Sequence, residues 1–368
     1  MNIDIVGQRK LAAGLVLCLA LASASVAIGQ QAAAPQPAPL RGQLVLEKFH
    51  SAALEHSLLG DSADRSFYVY LPPSYVRGEH RYPVVYMLHG YTGDYRWGIR
   101  VSRVVDADIA AGTAREMIVV FPDGSNRLGG AFYSDSPGSG GMEQYITREL
   151  VSYVDGRYRT LANAASRGIA GHSMGGNGAL RLAIKHPDVY GATYGLSPCC
   201  IAWTDEFSLS NPAWNRALAM TSMSDFSSAP FLPRVFTAIA SAWSPDAAKP
   251  PFFAALPVKL DAGALGPRPE LAARWSANMS VEMLDANLTN LKRLRAIAFD
   301  VGRQDEFASI VTGTRMFSAA LKRNGIAHFF EEYEGTHGSG VAERIRTRVL
   351  PFFSEKLEFA ESARAARQ

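Results

Sequence analysis

Cysteine is scarce in this chain, which has three in 368 residues. Cys18 falls inside an N-terminal apolar run, and Cys199 and Cys200 are adjacent, so the sequence lacks the spaced framework of a disulfide-stapled secreted fold. The adjacent pair fits either a strained vicinal disulfide or two buried thiols near the end of a strand. No cysteine–histidine spacing indicates zinc, and we expect no metal site.

An excess of charge of one sign is lacking as well. Lysine and arginine number 37, aspartate and glutamate 34, and the formal net charge is +3. The basic residues form no stripe along the sequence, so nothing in it supports a nucleic-acid interface. The chemistry of this protein therefore has to be sought in individual motifs rather than in its total charge.

Long apolar runs are few, and one at residues 11–27 follows two basic residues near the start of the chain. This run is short for a membrane span, and small residues at its end occupy positions that a signal peptidase prefers. We expect residues 1–29 to be a signal peptide, with the mature protein secreted or periplasmic and without stable membrane insertion. An uncleaved N-terminal anchor is the alternative. The Ala-, Gln- and Pro-rich residues 30–41 predict a flexible lead.

Short apolar patterns predict the strands of a central sheet. They lie near residues 44–49, 66–71, 84–88, 117–121, 168–170, 192–196, 296–300 and 328–333. The first strands have no helical pattern between them and should pair antiparallel. Strands and helices alternate after residue 84, which is typical of a parallel sheet covered by helices on both faces. Functional side chains of such sheets gather at the carboxyl ends of the strands.

The motif Gly-His-Ser-Met-Gly-Gly at residues 171–176 lies between a buried-strand pattern, residues 167–170, and a helical pattern, residues 177–185. A sharp turn of this kind strains the serine backbone, and glycines two positions to either side let strand and helix approach closely. A glycine-rich turn with an incidental serine is the ordinary alternative, but the flanking elements favour a catalytic turn. Ser173 is therefore the candidate nucleophile.

A serine hydroxyl needs a histidine base and a carboxylate that orients the base. Among the eight histidines, His337 fits best because its loop follows a late strand and precedes an amphipathic helical pattern. His186 is interpreted as capping a helix end. Packing or surface roles, the commoner ones of a lone histidine, are assigned to His50, His56, His80 and His328. The acid is expected between serine and histidine in the chain. Asp300, at a strand end, and Asp305, deeper in the following loop, both qualify, and spacing favours Asp305 only slightly.

A tetrahedral intermediate also needs donors for its negative oxygen. The strand at residues 84–88 is followed by His89-Gly90-Tyr91, and the serine is followed by Met174 at the start of a helix. We expect the backbone N–H groups of Tyr91 and Met174 to converge on the oxyanion, the second with help from the helix dipole. Main-chain donors leave no side-chain signature, so this assignment follows from position.

Four motifs taken in order resemble the esterase D group of α/β-hydrolases. They are Leu-His-Gly at residues 88–90, the serine motif, Gly-Arg-Gln-Asp at residues 302–305 and Gly-Thr-His at residues 335–337. The group includes S-formylglutathione hydrolases, feruloyl and acetyl-xylan esterases and mycolyltransferases. The resemblance spans about residues 67–353 apart from one divergent stretch.

The resemblance implies an α/β-hydrolase fold and a role for each candidate residue. By it, Ser173 is the nucleophile, Asp305 the acid and His337 the base, and Tyr91 and Met174 are the oxyanion donors. The choice of Asp305 over Asp300 rests on this resemblance more than on physical reasoning. Many relatives carry an Asp-Trp or aromatic pair after the histidine, whereas Gly338 and Ser339 follow it here. That difference affects the side of the pocket where the leaving group is expected to bind.

The divergent stretch, about residues 199–290, contains four of the five tryptophans and many prolines. We interpret it as a cap inserted into a hydrolase domain of residues 42–358, followed by a polar tail, residues 359–368. Large aromatic side chains of a cap could line an apolar acyl pocket, or they could simply pack an irregular segment onto the domain. Three residues elsewhere are candidate substrate contacts: Trp97, Asp135 and His172.

The leading hypothesis is an exported serine hydrolase that cleaves carboxylic esters through an acyl-enzyme and needs no cofactor. Its partner would be a small-molecule or carbohydrate-linked ester, and the sequence leaves the oligomeric state open. An acyltransferase that passes the acyl group to a sugar hydroxyl would use the same residues. A binding protein that keeps the fold without activity is the alternative from another class.

Overall fold

An eight-stranded sheet forms the centre of the protein, as seen in a computed structural model that describes residues 39–360. The strands are β1 Gln43–His50, β2 Asp64–Leu71, β3 Val84–Leu88, β4 Ile118–Phe121, β5 Arg167–His172, β6 Ala192–Leu196, β7 Ala296–Gly302 and β8 Phe329–Tyr333. Their order across the sheet is β1-β2-β4-β3-β5-β6-β7-β8. All the predicted strands are present, with ends that differ from the prediction by at most two residues.

The direction of pairing confirms the predicted fold class. β2 is antiparallel to both β1 and β4. In the rest of the sheet, in the order β4-β3-β5-β6-β7-β8, each pair of neighbouring strands is parallel. A parallel neighbour requires a crossover connection, which the helices after β3 provide, whereas β1 and β2 have none between them. This is the mostly parallel sheet of an α/β-hydrolase, with its antiparallel strands at the N-terminal end.

Helices cover both faces of the sheet. They are α1 Trp97–Ala111, α2 (Met142–Gln144, the π-helical turn Tyr145–Glu149 and Leu150–Arg157), α3 Met174–Lys185, α4 Ala213–Ala219, α5 Met223–Ser228, α6 Phe231–Trp243, α7 Pro269–Ser276, α8 Leu288–Leu291, α9 Ala308–Arg323 and α10 (Val341–Arg344, the π-helical turn Ile345–Val349 and Leu350–Lys356). Side chains of β3 alternate between the two faces. Val84, Tyr86 and Leu88 pack in the same cluster as α2 and α3, and Val85 and Met87 pack with α1 and α10.

The long connection between β6 and β7 is irregular and contains α4 to α8 and a two-stranded ladder, Val258–Asp261 with Ala264–Pro267. Its tryptophans pack on one another. Trp203 stacks on Trp275 with ring centroids 5.6 Å apart, and Trp214 and Trp243 each lie 5.8 Å from the same ring. The Trp275 indole donates to Ser244 Oγ at 2.8 Å. The tryptophans therefore form the core of this connection.

Some predicted features lie outside the described residues. The predicted signal peptide, nearly all of the predicted lead and the end of the polar tail fall before residue 39 or after residue 360. Within residues 39–360, no helix is long and apolar enough to cross a membrane. Cys199 and Cys200 are free thiols, the second of them buried, so the vicinal disulfide left open by the sequence is not formed.

Candidate active site

Ser173 occupies the tight turn between β5 and α3. Its φ of 57° and ψ of −115° are strained for a residue with a side chain. The glycines on either side have no room for a Cβ. One added at Gly171 would lie 2.3 Å from the carbonyl oxygen of Gly175, and one at Gly175 would lie 2.1 Å from that of Leu88. Both glycines are thus required for the close approach that places Ser173 at the start of the helix.

His337 joins Ser173 to Asp305. Its Nε2 lies 2.9 Å from Ser173 Oγ, and its Nδ1 lies 2.8 Å from Asp305 Oδ2. The Asp305 carboxylate is fully buried and the histidine is 17% exposed. An Nδ1–H that donates to the carboxylate leaves Nε2 free to accept the serine proton. The three side chains therefore form one continuous hydrogen-bonded chain, suited to acyl transfer.

Asp300, the other candidate acid, has different partners. It lies buried in β7 and accepts hydrogen bonds from the Tyr194 hydroxyl at 2.9 Å and from Arg344 Nε at 2.8 Å. Burial raises the pKa of Asp300 to about 6 although Arg344 opposes the shift. Arg344 also bonds Glu331 at 2.7 Å, so Asp300 helps to join β7, β8 and α10. The structure brings Asp305, and not Asp300, to the histidine.

The loops that carry Asp305 and His337 are fastened to each other. Glu306 accepts the backbone N–H of His337 at 3.0 Å, and backbone N–H groups lower the pKa of this carboxyl. Gln304 accepts the N–H of Gly335 at 2.6 Å through its side chain. These two residues were missed from the sequence. Both residues lie next to Asp305 in the sequence, which could have drawn attention to them. That position does not reveal a hydrogen-bond partner 31 residues away in the chain.

His172, a predicted substrate contact, bonds the histidine loop. Its Nε2 donates to the carbonyl oxygen of His337 at 2.8 Å, and the two rings lie 4.8 Å apart. Burial, with a smaller contribution from the charge of His337, lowers the pKa of His172 to about 4. His172 is therefore neutral at pH 7, and its hydrogen bond holds the backbone of His337 in place.

The predicted oxyanion donors border Ser173. Met174 is the first residue of α3, and Tyr91 follows Gly90, where an added Cβ would lie 3.5 Å from Ser173 Cβ. Neither the Tyr91 nor the Met174 N–H makes a hydrogen bond to another group within residues 39–360. Two unpaired N–H groups beside a serine, one of them at the positive end of a helix, are suited to stabilise a negative oxygen.

A narrow apolar cavity of about 40 Å³ opens at Ser173. Its aromatic wall is a chain of rings: Phe307 stacks on Phe231 at 5.3 Å, and Phe231 meets Tyr91 edge-on at 5.7 Å. The remaining lining residues are Phe132, Cys199, Cys200, Glu206, Phe207, Leu232, Val235, Phe236, Ser309 and Ile310. None of the four tryptophans of the β6–β7 connection lines this cavity; phenylalanines do so instead.

The other two predicted contacts lie elsewhere. Asp135 is exposed and accepts the backbone N–H groups of Glu143 and Gln144 at 2.8 and 3.2 Å, so it caps the start of α2. It is not among the residues that line the cavity at Ser173, and its contact with substrate stays a prediction. Trp97 begins α1 and lines a separate polar cleft together with His172.

The site offers no donor set for a metal ion. Within residues 39–360, no group of three or more His, Cys, Asp or Glu side chains could hold one.

Comparison with known proteins identifies the family of this chain. Residues 61–340 match the family model described as "Putative esterase". Esterase MT1326 of Mycobacterium tuberculosis is 33% identical over 128 residues, which cover 32% of this chain and 25% of that protein. S-formylglutathione hydrolase of Bos taurus is 30% identical over 165 residues, covering 40% of this chain and 56% of that protein.

The solved structure of a ferulic acid esterase has a TM-score of 0.60 and 21% identity, and the match covers 87% of this chain and all of that one. At this identity the likeness shows the fold. This chain spans about a quarter to just over half of the length of the two curated relatives. The family match, in contrast, covers more than half of the chain. The chain therefore belongs to the esterase family of α/β-hydrolases.

Proposed function

We propose that this protein is a serine hydrolase that cleaves carboxylic esters with Ser173, His337 and Asp305. One observation carries the proposal: His337 lies 2.9 Å from the serine oxygen on one side and 2.8 Å from the buried Asp305 carboxylate on the other. An ordinary surface serine has neither a base at this distance nor an acid that fixes the base's tautomer.

In the first step Ser173 Oγ attacks the carbonyl carbon of the ester while its proton passes to His337 Nε2. The carbonyl oxygen becomes negative and takes hydrogen bonds from the N–H groups of Tyr91 and Met174. Collapse of the intermediate breaks the bond to the alcohol, which leaves with the proton from His337. A water molecule then gives a proton to His337 and attacks the acyl group, and Ser173 regains its proton as the acid departs.

The small size of the apolar cavity favours a short acyl group. The cavity volume of about 40 Å³ is small, and phenylalanine side chains form much of its wall. An acetyl methyl fits this space, whereas a longer chain requires the phenylalanine side chains to move. We propose a short-chain ester as the substrate, free or linked to a carbohydrate as the ferulic acid esterase likeness suggests.

The cellular location of the protein is part of the same proposal. The basic start, the apolar residues 11–27 and the small residues that follow favour export with removal of residues 1–29. The hydrolase domain would then comprise residues 42–358, with residues 199–290 as its cap. The N-terminal sequence of protein recovered from the periplasm or medium of a bacterial host tests the cleavage.

A fluorophosphonate probe tests the central claim. We expect it to phosphonylate Ser173, identified by peptide mass spectrometry, and to leave Ser173→Ala unlabelled. Folded wild-type protein that fails to react would support a catalytically inert member of the family. Partition of a labelled acetyl group between water and an added polyol then separates hydrolysis from acyl transfer. A product that is mostly acylated polyol would replace the hydrolase proposal with an acyltransferase.

A further inference from the structure

A polar cleft of about 470 Å³ lies beside the apolar cavity, between the loop of residues 90–94 and the start of α1. Its lining residues are His89, Gly90, Tyr91, Thr92, Gly93, Asp94, Arg96, Trp97, Arg100 and His172. Tyr91 lines both spaces, so the two are adjacent. The cleft is much larger than the apolar cavity, and its lining is mostly polar.

The two spaces suit the two halves of an ester. The acyl and alcohol portions diverge from the carbonyl carbon that Ser173 attacks, and the narrow cavity holds only one of them. The alcohol leaves with a proton from His337, so it must extend on the histidine side. The cleft is next to that side: one of its lining residues, His172, has its ring 4.8 Å from that of His337, although His337 itself does not line the cleft. An added Cβ at Gly338 would meet nothing within 4 Å, which leaves the rim of this loop open.

The charges that line the cleft leave one cation without a partner. Arg96 forms a bidentate ion pair with Asp94, in which both Asp94 oxygens accept from Arg96 Nε at 3.0 and 2.9 Å. Burial lowers the pKa of His172 to about 4, so this ring is neutral at pH 7. The Arg100 side chain is exposed and forms no hydrogen bond or ion pair with another group within residues 39–360. The cleft therefore carries an uncompensated positive charge.

Arg100 lies three residues after Trp97 in α1, and residues at this spacing share one face of a helix. Trp97 is half-buried against Phe121, with the rings perpendicular at 6.5 Å, and lines the same cleft. An aromatic side chain next to a free guanidinium offers a flat apolar contact and an anion partner to one ligand.

We propose that this cleft binds the alcohol portion of the ester, and that Arg100 selects an alcohol portion that carries an anionic group. Trp97 contacts the carbon skeleton between that group and the ester oxygen. This inference rests on the proposed function and goes beyond it, since it assigns the leaving group rather than the reaction. The preferred substrate is then a short acyl ester of an anionic alcohol or phenol.

Two matched esters test the selectivity. In 4-acetoxybenzoate and 4-acetoxybenzamide the acetyl group and ring are the same, and only the first is negatively charged at pH 7. We expect kcat/KM of the wild-type protein to be about threefold to fivefold higher for the benzoate, the size that an exposed ion pair supports. Raising the NaCl concentration from about 0.02 M to about 0.5 M should reduce this ratio, because salt screens exposed charges.

Three variants complete the test. Arg100→Gln should bring the benzoate/benzamide ratio to about one, and Arg100→Lys should retain part of it. Arg323→Gln removes an exposed arginine at the end of α9, away from the cleft lining, and should leave the ratio at the wild-type value. A ratio that is the same in Arg100→Gln and wild type overturns the inference, as does a wild-type protein that does not discriminate. Failure of the wild-type protein to hydrolyse either ester would instead overturn the proposed function.

Discussion

The sheet and the connection between β6 and β7 organise their functional residues in different ways. Ser173, Asp305 and His337 lie just after β5, β7 and β8, and the hydrogen-bonded ladder of parallel strands brings those ends together. In the β6–β7 connection, packing among aromatic side chains replaces a ladder as the main organising interaction. The difference teaches that topology brings Ser173, His337 and Asp305 together, whereas side-chain packing shapes the cavity beside Ser173.

The sheet region also uses buried charge to hold its helices. Arg181 of α3 is fully buried and lies 2.7 Å from Glu143 of α2, which also accepts from Lys185 and His186. Burial opposes the ionised carboxylate, but these three partners together lower the pKa of Glu143. The helix that begins next to Ser173 is thereby joined to α2 by a network with defined geometry, which helps to keep Ser173 in its strained turn.

The largest expected effect is that of Ser173→Ala. Removal of the nucleophile leaves only binding and the oxyanion donors, so kcat on 4-nitrophenyl acetate should fall by at least about a thousandfold. The circular dichroism spectrum and melting temperature should stay close to those of wild type, because Ser173 is not a core residue. Near-normal turnover in a purified variant would refute the assignment of the nucleophile.

The next largest effect is expected for the two buried aspartates, Asp305 and Asp300. Substitution of the first should affect activity and substitution of the second should affect stability. Asp305→Asn removes the acceptor that orients His337 and should lower kcat by about 10²–10⁴-fold with the fold retained. Asp300→Asn leaves the buried Arg344 without its charged partner in β7 and should mainly lower the melting temperature. Steady-state kinetics and thermal unfolding of both variants check this contrast. The opposite pattern would identify Asp300 as the acid.

Most of the sheet region could be predicted from the sequence because its signals are local. The buried run of β3, the two glycines around Ser173 and the loop positions of His337 and Asp305 each reflect a constraint within a few residues. The choice between Asp300 and Asp305 could not be made in this way. It depends on the Tyr194 and Arg344 side chains, which reach Asp300 from other elements of the fold.

The β6–β7 connection could be predicted only as an insertion rich in tryptophan. Which rings line the cavity at Ser173 depends on contacts between segments far apart in the chain, such as Phe231 with Phe307. The same limit applies to Asp135, whose hydrogen bonds to the start of α2 depend on the path of the intervening loop. Periodicity carries no information on such contacts, since these segments lack a regular repeat.

The third prediction concerns the aromatic core of this connection. Trp275 is fully buried, contacts three other tryptophans and donates to Ser244, so Trp275→Ala should lower the free energy of unfolding by about 3–5 kcal/mol. Trp275→Phe should lower the free energy of unfolding by less, because phenylalanine fills more of the space than alanine does. Denaturant titration measures both values. If Trp275→Ala instead kept wild-type stability and changed only acyl selectivity, the tryptophans would belong to the substrate pocket.

The fourth prediction uses the neutral His172. Its pKa of about 4 in the folded protein lies below the ordinary value of 6.5, so between these values the unfolded chain binds a proton that the folded protein does not. Stability should therefore fall by about 1–2 kcal/mol as the pH is lowered from 7 to 5. His172→Gln keeps an N–H donor for the His337 carbonyl and should lose less stability over the same range. Equal pH dependence in both proteins, measured by thermal unfolding, would remove His172 as its cause.

The smallest expected effect tests whether the β6–β7 connection sets acyl length. Phe231 begins α6 and stacks on Phe307 over the cavity, so Phe231→Ala should admit a longer chain. We expect the butyryl/acetyl ratio of kcat/KM for 4-nitrophenyl esters to rise about fivefold to tenfold, the scale of added methylene groups in an apolar pocket. Leu209→Ala is a matched control, because Leu209 is as exposed as Phe231 and belongs to the same connection but does not line the cavity. An equal rise in both variants would mean that loosening of the whole connection, rather than removal of the Phe231 ring, determines chain length.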